Sequence, residues 1–270
     1  MGLTKVNMME GDYGEYLVVC RQAVADPEVY KDFKNNPGYS YALEHPNYQA
    51  QGQSFLEVAL SEAKKHGITD IPWPLILCND AVGNPERFVY KLTDSLTADV
   101  SPTTLRYVKT AMLILPHLAA SYDGEVDIVE IGGGYGGQAV VLFAMAQLFG
   151  VKIASYTIFD LENASKLQQK YISEFREHVP ADKFEFRPYG QSSFDVKPNS
   201  FVISNYCISE IQEPIRDHYL STTFKNVTHG FMSWNHALGG TPVSKQLYDN
   251  YNVRTTQEVP RTGPNLDVYF

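Results

Sequence analysis

Asp127-Ile-Val-Glu-Ile-Gly-Gly-Gly-Tyr-Gly-Gly137 takes a short β-branched run, Ile128, Val129 and Ile131, into a series of glycines. Gln138-Ala-Val-Val-Leu-Phe-Ala-Met-Ala-Gln-Leu148 follows, helical in composition. The pattern predicts strand, tight turn and helix. Glycines at 132, 134 and 136 permit positive φ and let a ligand approach backbone that carries no Cβ. N–H groups at the start of the helix then face that ligand. A second apolar run, Ile153 to Phe159, ends in Asp160, where an acid can take the two hydroxyls of a ribose. The stretch is therefore expected to bind an adenosine-bearing cofactor.

Gly132, Gly134 and Gly137 also satisfy the spacing of a dinucleotide site, which by itself is a weak signal. Three features favour S-adenosylmethionine. Glu130 gives the acidic-x-Gly-x-Gly-x-Gly form of a class I methyltransferase; an acid there can hold the cofactor's ammonium through water or the turn, and would repel a pyrophosphate. The motif lies mid-chain, whereas a dinucleotide fold commonly opens with its first strand. No second glycine fingerprint or 2′-phosphate arginine follows Asp160.

Composition narrows the partners. A net charge of −9 over 270 residues argues against a nucleic acid. Cys20, Cys78 and Cys207 are far apart and odd in number, which fits a reducing compartment and no zinc site. No apolar run reaches the roughly 20 residues that span a bilayer, and Met1-Gly-Leu-Thr-Lys5 lacks the apolar core of a signal peptide. A soluble, cytoplasmic protein is expected.

Before the glycine motif the chain reads as helical. Asp26-Pro27 opens a helix that Asn36-Pro37-Gly38 stops, and a longer one runs from about Gln51 to His66 with Gly67 as its cap. This region carries no catalytic signature and suits a helical cap or a homodimerisation element. Two prolines in Ile71-Pro-Trp-Pro-Leu75 are expected to exclude a helix, leaving an extended segment that ends in a polar turn at Asn79, Asp80 and Asn84. Ser101-Pro102 opens a helix with Leu105, Val108, Met112, Leu115 and Leu118 on one stripe, Arg106 and Lys109 falling on or beside the other face. After Asp160 come a helix (162–178), a strand (183–187), a buried strand (200–205), a helix (213–225), a strand (230–236), a helix (243–251) and two late runs suited to a hairpin. Alternating strands and helices imply a parallel sheet covered on both faces.

Several pieces resemble the sugar O-methyltransferase family: Asn79-Asp80 with Gly83-Asn84-Pro85, Thr104-Leu-Arg-Tyr107, Val129-Glu-Ile-Gly-Gly-Gly-Tyr-Gly-Gly-Gln138, Tyr156-Thr-Ile-Phe-Asp-Leu161, and Ser204-Asn-Tyr-Cys-Ile-Ser-Glu210. The resemblance covers about two thirds of the chain, from Asn79 onward. It implies an α/β class I methyltransferase fold, Rossmann-like, with a seven-stranded, mostly parallel sheet. The catalytic domain would occupy 101–270 and an N-terminal helical extension 1–100. It further implies methyl transfer from S-adenosylmethionine to a sugar hydroxyl of a glycan or glycoconjugate. Such modules also occur inside larger glycan-building proteins, so the chain could be one domain of such a protein.

A sugar hydroxyl is a poor nucleophile until a base takes its proton. Glu210, after the fourth strand, and His236, closing the fifth, are the leading candidates, with Asp80 and His229 weaker; each also has a bland alternative, as a helix-terminal acid or a backbone-bonded histidine. Glu130, Gly132, Gly134, Gly136, Asp160, Leu161 and Asn205 are expected to line the cofactor. Gln191 and Ser192 are placed to contact adenine, and Arg106 to pair with the cofactor's carboxylate. Asp80, Tyr206 and Asn235 are candidates for the acceptor pocket. No metal site is expected, since no acids and histidines cluster. Two other functions compete: an NAD-linked oxidoreductase on the glycine loop, and a non-catalytic module that binds the cofactor or a glycan.

Overall fold

The computed structural model describes residues 14–44, 48–190, 193–236 and 242–270. In chain order the elements are α1 (Gly14–Ala25), α2 (Pro27–Asp32), α3 (Pro37–Leu43), α4 (Gln49–Lys65), α5 (Trp73–Leu77), β1 (Phe88–Lys91), β2 (Thr97–Val100), α6 (Pro102–Ser121), β3 (Glu125–Ile131), α7 (Gly137–Ala146), β4 (Lys152–Asp160), α8 (Glu162–Ser173), β5 (Phe184–Pro188), β6 (Ser200–Asn205), α9 (Cys207–Glu210), α10 (Glu213–Ser221), β7 (Val227–Trp234), α11 (Lys245–Asn250), β8 (Arg254–Gln257) and β9 (Leu266–Tyr269).

Seven strands form one sheet in the order β5-β4-β3-β6-β7-β9-β8. The first five are parallel, and β9 runs antiparallel to both β7 and β8. The α/β class expected from the sequence is the one observed, with the late hairpin supplying the two edge strands. The chain winds outward from β3 through β4 to β5, then returns to place β6 on the other side of β3. That reversal opens a crevice at the carboxyl ends of β3 and β6, where open α/β sheets take ligands. Ile128 lies opposite Phe201 in this central pair, and both side chains are fully buried.

The N-terminal helices share the core of the sheet. One continuous apolar cluster runs from Tyr16, Phe33, Tyr39 and Phe55 through Leu105 and Met112 to Tyr135, Tyr156 and Tyr171. Local chemistry starts these helices as read: Asp26 accepts from the Glu28 N–H ahead of Pro27, and the Ser101 hydroxyl accepts from the Thr104 N–H ahead of Pro102. No helix among the described residues is long and apolar enough to cross a membrane.

Some sequence expectations need correction. Asn36-Pro37-Gly38 does more than stop a helix; Asn36 accepts from the Gly38 N–H and opens α3. Pro72 and Pro74 do not exclude a helix, because Pro74 sits in the first turn of α5, where no N–H is needed. A separate antiparallel hairpin, β1–β2, occupies a stretch with no assignment from sequence. Helix α6 is not half wet. Helix α4 packs along it, and Lys109 is only 1% exposed.

Candidate functional site

The glycine loop leaves β3 with Gly132, Gly134 and Gly136 all at positive φ, +78°, +58° and +93°. It has no space for side chains. A Cβ at Gly132 would meet the Cys207 Sγ at 2.3 Å, and one at Gly133 would meet the Ile158 Cγ2 at 2.6 Å. Gly132 and Gly134 are partly exposed, whereas Gly133, Tyr135 and Gly136 are buried. The loop thus presents two backbone positions outward on a packed base.

Asp160 stands beside this loop at the end of β4. Its carboxylate accepts from the Leu161 N–H at 2.7 Å and from the Gln168 amide at 2.7 Å, and the backbone N–H groups of Gly133 and Gly134 also bear on it. Gln168 donates a second bond to the Gly134 carbonyl at 2.9 Å. Burial outweighs these donors and lifts the Asp160 carboxyl from 3.8 to about 6. Leu161 follows as the partly exposed residue that begins α8.

Glu130 differs from its sequence reading. Its side chain turns inward, 1% exposed, and accepts from the Tyr156 hydroxyl at 2.9 Å. Burial raises its carboxyl to about 8. It braces the loop from behind, 3.4 Å from where Gly133 would carry a Cβ, and does not face outward toward an ammonium.

The corner after β6 is built by the two serines of Ser204-Asn-Tyr-Cys-Ile-Ser-Glu210. The Ser204 hydroxyl donates to the Ile131 carbonyl at 2.9 Å and accepts from the Ile208 N–H at 3.0 Å, fixing β6, β3 and α9 together. The Ser209 hydroxyl donates to the Tyr206 carbonyl and accepts from the Asn235 N–H at 2.9 Å. Tyr206, between them, is held at φ +67°, a costly position for a bulky residue and one found mostly where a site requires it. The result is a short path from β6 to β7: Glu210 accepts from the Asn235 side-chain amide at 2.7 Å. His236 is the next residue; its N–H donates to the Asn265 side-chain oxygen at 3.3 Å. The His236 Nε2 is buried with no hydrogen-bond partner among the described residues, as is the Asn205 Oδ1 at the tip of β6. Asn205 lies beside the start of α7, its amide donating to the Gln138 side-chain oxygen at 3.5 Å, and buried polar atoms left unpaired in this way suit a site completed by a ligand.

A polar cluster missing from the sequence reading lies behind Tyr206. The Tyr206 hydroxyl donates to Glu258, a buried acid that also accepts from Thr262 and Asn265 and pairs with the Lys109 ammonium at 3.8 Å. Asp267 joins through Ser233; burial raises its carboxyl and Lys109 opposes that. Sequence offered no signal for Glu258 or Asn265, which come from the late hairpin and meet α6 only in the fold.

Asp80 is also corrected. Its carboxylate accepts three bonds at the start of α6: Ser101 N–H at 2.6 Å, Ser101 hydroxyl at 2.7 Å and Thr104 hydroxyl at 2.7 Å. Asn79 beside it binds Thr104 and accepts from Tyr171. This pair is buried and ties the start of α6 to α8, in place of the loop position expected from sequence. His229 lies on β7 against His117 and Tyr122, away from the glycine loop. Gln191 and Ser192 lie outside the described residues. Arg106 is partly buried beside the loop, donating to the Leu43 carbonyl at 3.0 Å, with Tyr107 and Tyr206 rings 5.8 and 6.0 Å from its guanidinium. Among the described residues no three His, Cys, Asp or Glu groups converge as metal ligands.

No family model matches the chain, and no curated protein matches it. Several solved methyltransferase structures are similar at low identity. Magnesium protoporphyrin IX methyltransferase from Synechocystis PCC 6803, with SAM bound, is 15% identical over 60% of this chain and 77% of that one, at TM-score 0.44. The mitomycin 7-O-methyltransferase MmcR is 13% identical over 93% of this chain and 72% of that one, at TM-score 0.38. An rRNA methylase from Streptococcus thermophilus is 13% identical over 58% and 93%, at TM-score 0.39.

Proposed function

We propose that this chain is an S-adenosylmethionine-dependent O-methyltransferase whose acceptor is a sugar hydroxyl. The observation that carries the cofactor assignment is the outward-facing glycine loop tied to Asp160. That loop offers backbone to a ligand, and Asp160 offers an acceptor for ribose hydroxyls in exchange for the Gly133 and Gly134 amides. The acceptor assignment rests on the resemblance of the 204–210 segment, together with its packing against the loop through Cys207 and Ser204.

When bound, the sulfonium supplies an electrophilic methyl group. His236 would take the proton from the acceptor hydroxyl as the new C–O bond forms and the C–S bond breaks, leaving the thioether. Its unpartnered Nε2 favours it over Glu210 as the base. Glu210 and Asn235 would then fix the segment that carries the histidine. Tyr206, pinned by Glu258, would wall the acceptor pocket, and Asn205 would line the side toward the cofactor.

The test is methyl transfer to a panel of hexose and deoxyhexose glycosides, read by mass spectrometry. Transfer to a glycoside supports the reading. Binding of NAD in place of S-adenosylmethionine favours an oxidoreductase, and cofactor binding without transfer to any acceptor favours a non-catalytic module.

A further inference from the structure

The sequence motif nominates Glu130 for the cofactor's ammonium, and the fold withdraws it. A different acid stands near Arg106, on the segment that packs against the loop. Glu44 ends the turn after α3, beside Leu43, whose Cδ1 lies 3.0 Å from where Gly134 would carry a Cβ. The Leu43 carbonyl is the one that Arg106 bonds at 3.0 Å. Residue 44 and Arg106 therefore reach the same edge of the glycine loop, one from the N-terminal helices and one from α6.

Both side chains have unused capacity. Glu44 is hydrogen-bonded to Thr103, in the first turn of α6, yet its Oε1 is buried with no partner among the described residues. A buried acceptor left so is destabilising, more when charged. The groups facing Glu44 are Lys34 and Arg106, which favour its ionised form, and Asp80, which opposes it; burial wins and raises its carboxyl. Arg106 carries five N–H donors in a fixed fork. Among the described residues it donates to the Leu43 carbonyl, and no carboxylate pairs with it within 4 Å. Aromatic rings of Tyr107 and Tyr206 flank it and keep it in place.

We infer that Glu44 and Arg106 form a clamp for an α-amino acid group, Glu44 taking the ammonium and Arg106 the carboxylate of the cofactor's methionyl end. The inference rests on the S-adenosylmethionine reading above. It makes the N-terminal helices a wall of the cofactor site, since the ammonium ligand comes from them. An ammonium supplies three donors to an oxygen that has none, and a carboxylate matches the guanidinium fork in two parallel bonds.

The test is calorimetric binding of S-adenosylmethionine and three probes to the full chain and to Glu44→Gln and Arg106→Met. The three probes are S-adenosylhomocysteine, decarboxylated S-adenosylmethionine, and 5′-methylthioadenosine, which lacks the amino acid end. Each variant should bind S-adenosylhomocysteine about tenfold or more weakly, with 5′-methylthioadenosine affinity unchanged. The unaltered chain should prefer S-adenosylmethionine to its decarboxylated form, and Arg106→Met should lose that preference. Variants that bind S-adenosylhomocysteine as tightly as the unaltered chain overturn the clamp, as does an equal loss for all three probes. Should a variant not fold, the preference of the unaltered chain decides: equal affinity with and without the carboxylate overturns the Arg106 half. An unaltered chain that binds none of the probes overturns the cofactor reading itself, and the clamp with it.

Discussion

One amide nitrogen, that of Gln168, donates both to Asp160 at 2.7 Å and to the Gly134 carbonyl at 2.9 Å. A residue on α8 thereby sets the distance between the acid at the end of β4 and the loop at the end of β3. Replacing Gln168 with Ala removes two bonds worth about 1 kcal/mol each, one of them to a carboxylate. We expect about tenfold weaker cofactor binding with a modest loss of stability, measured by calorimetry and thermal melting on the same sample. Unchanged affinity would mean that the loop holds its shape without this tie.

Gly132→Ala tests the packed base of the loop. The added Cβ would lie 2.3 Å from the Cys207 Sγ at a backbone φ of +78°, so both sterics and strain oppose it. Cofactor binding should be lost, and stability should fall by about 2 kcal/mol or more. Gly150 is the control: it shares a positive φ, +68°, but a Cβ there meets nothing. Its alanine variant should cost about 1 kcal/mol and leave binding intact. Equal effects at the two positions would show that backbone strain alone is responsible.

Much of this was legible in the glycine stretch and its flanks. Strand, loop and helix fall where Ile131, the glycines and Gln138 put them, and Ser101-Pro102 starts α6 as its chemistry requires. The directions of side chains were not legible. Glu130 reads as a ligand from its spacing, but strand alternation and the partner Tyr156 turn it inward. Asp80 reads as a loop acid, yet it caps a helix that begins 22 residues later, at Pro102. Glu44 and Glu258 come from segments with no motif, and only the fold brings them to α6.

Stability should depend on pH through Glu130. Burial lifts its carboxyl from 4.5 to about 8, the Tyr156 bond opposing the shift. A folded-state value above the unfolded one gives stability that is complete below about 4.5 and is lost as pH rises through about 8. Asp160, raised to about 6, acts with the same sign over a lower window. Lys34 has the opposite sign. Its ammonium is lowered to about 8 by burial, so its penalty fades as pH climbs from about 8 toward 10.5. Between pH 5 and 8 the melting temperature of the unaltered chain should fall more than that of Glu130→Gln. Parallel curves would contradict the buried, protonated carboxyl.

Asp80→Ala separates structure from recognition. Three hydrogen bonds to Ser101 and Thr104 are lost, leaving buried donors unpaired at the start of α6. A loss of about 2–4 kcal/mol is expected in urea unfolding. If Asp80 instead bound the acceptor, KM would rise with little loss of stability.

The proposed function has S-adenosylmethionine at the glycine loop and His236 taking the proton of an acceptor hydroxyl as the methyl group moves. The most direct measurement compares single-turnover methyl transfer to a glycoside acceptor by the unaltered chain and by His236→Ala, each saturated with S-adenosylmethionine. The account predicts transfer by the first, and a rate lower by about 100-fold or more in the second with cofactor affinity unchanged. Full activity in His236→Ala would contradict His236 as the base, and no binding of S-adenosylmethionine by the unaltered chain would contradict the whole account.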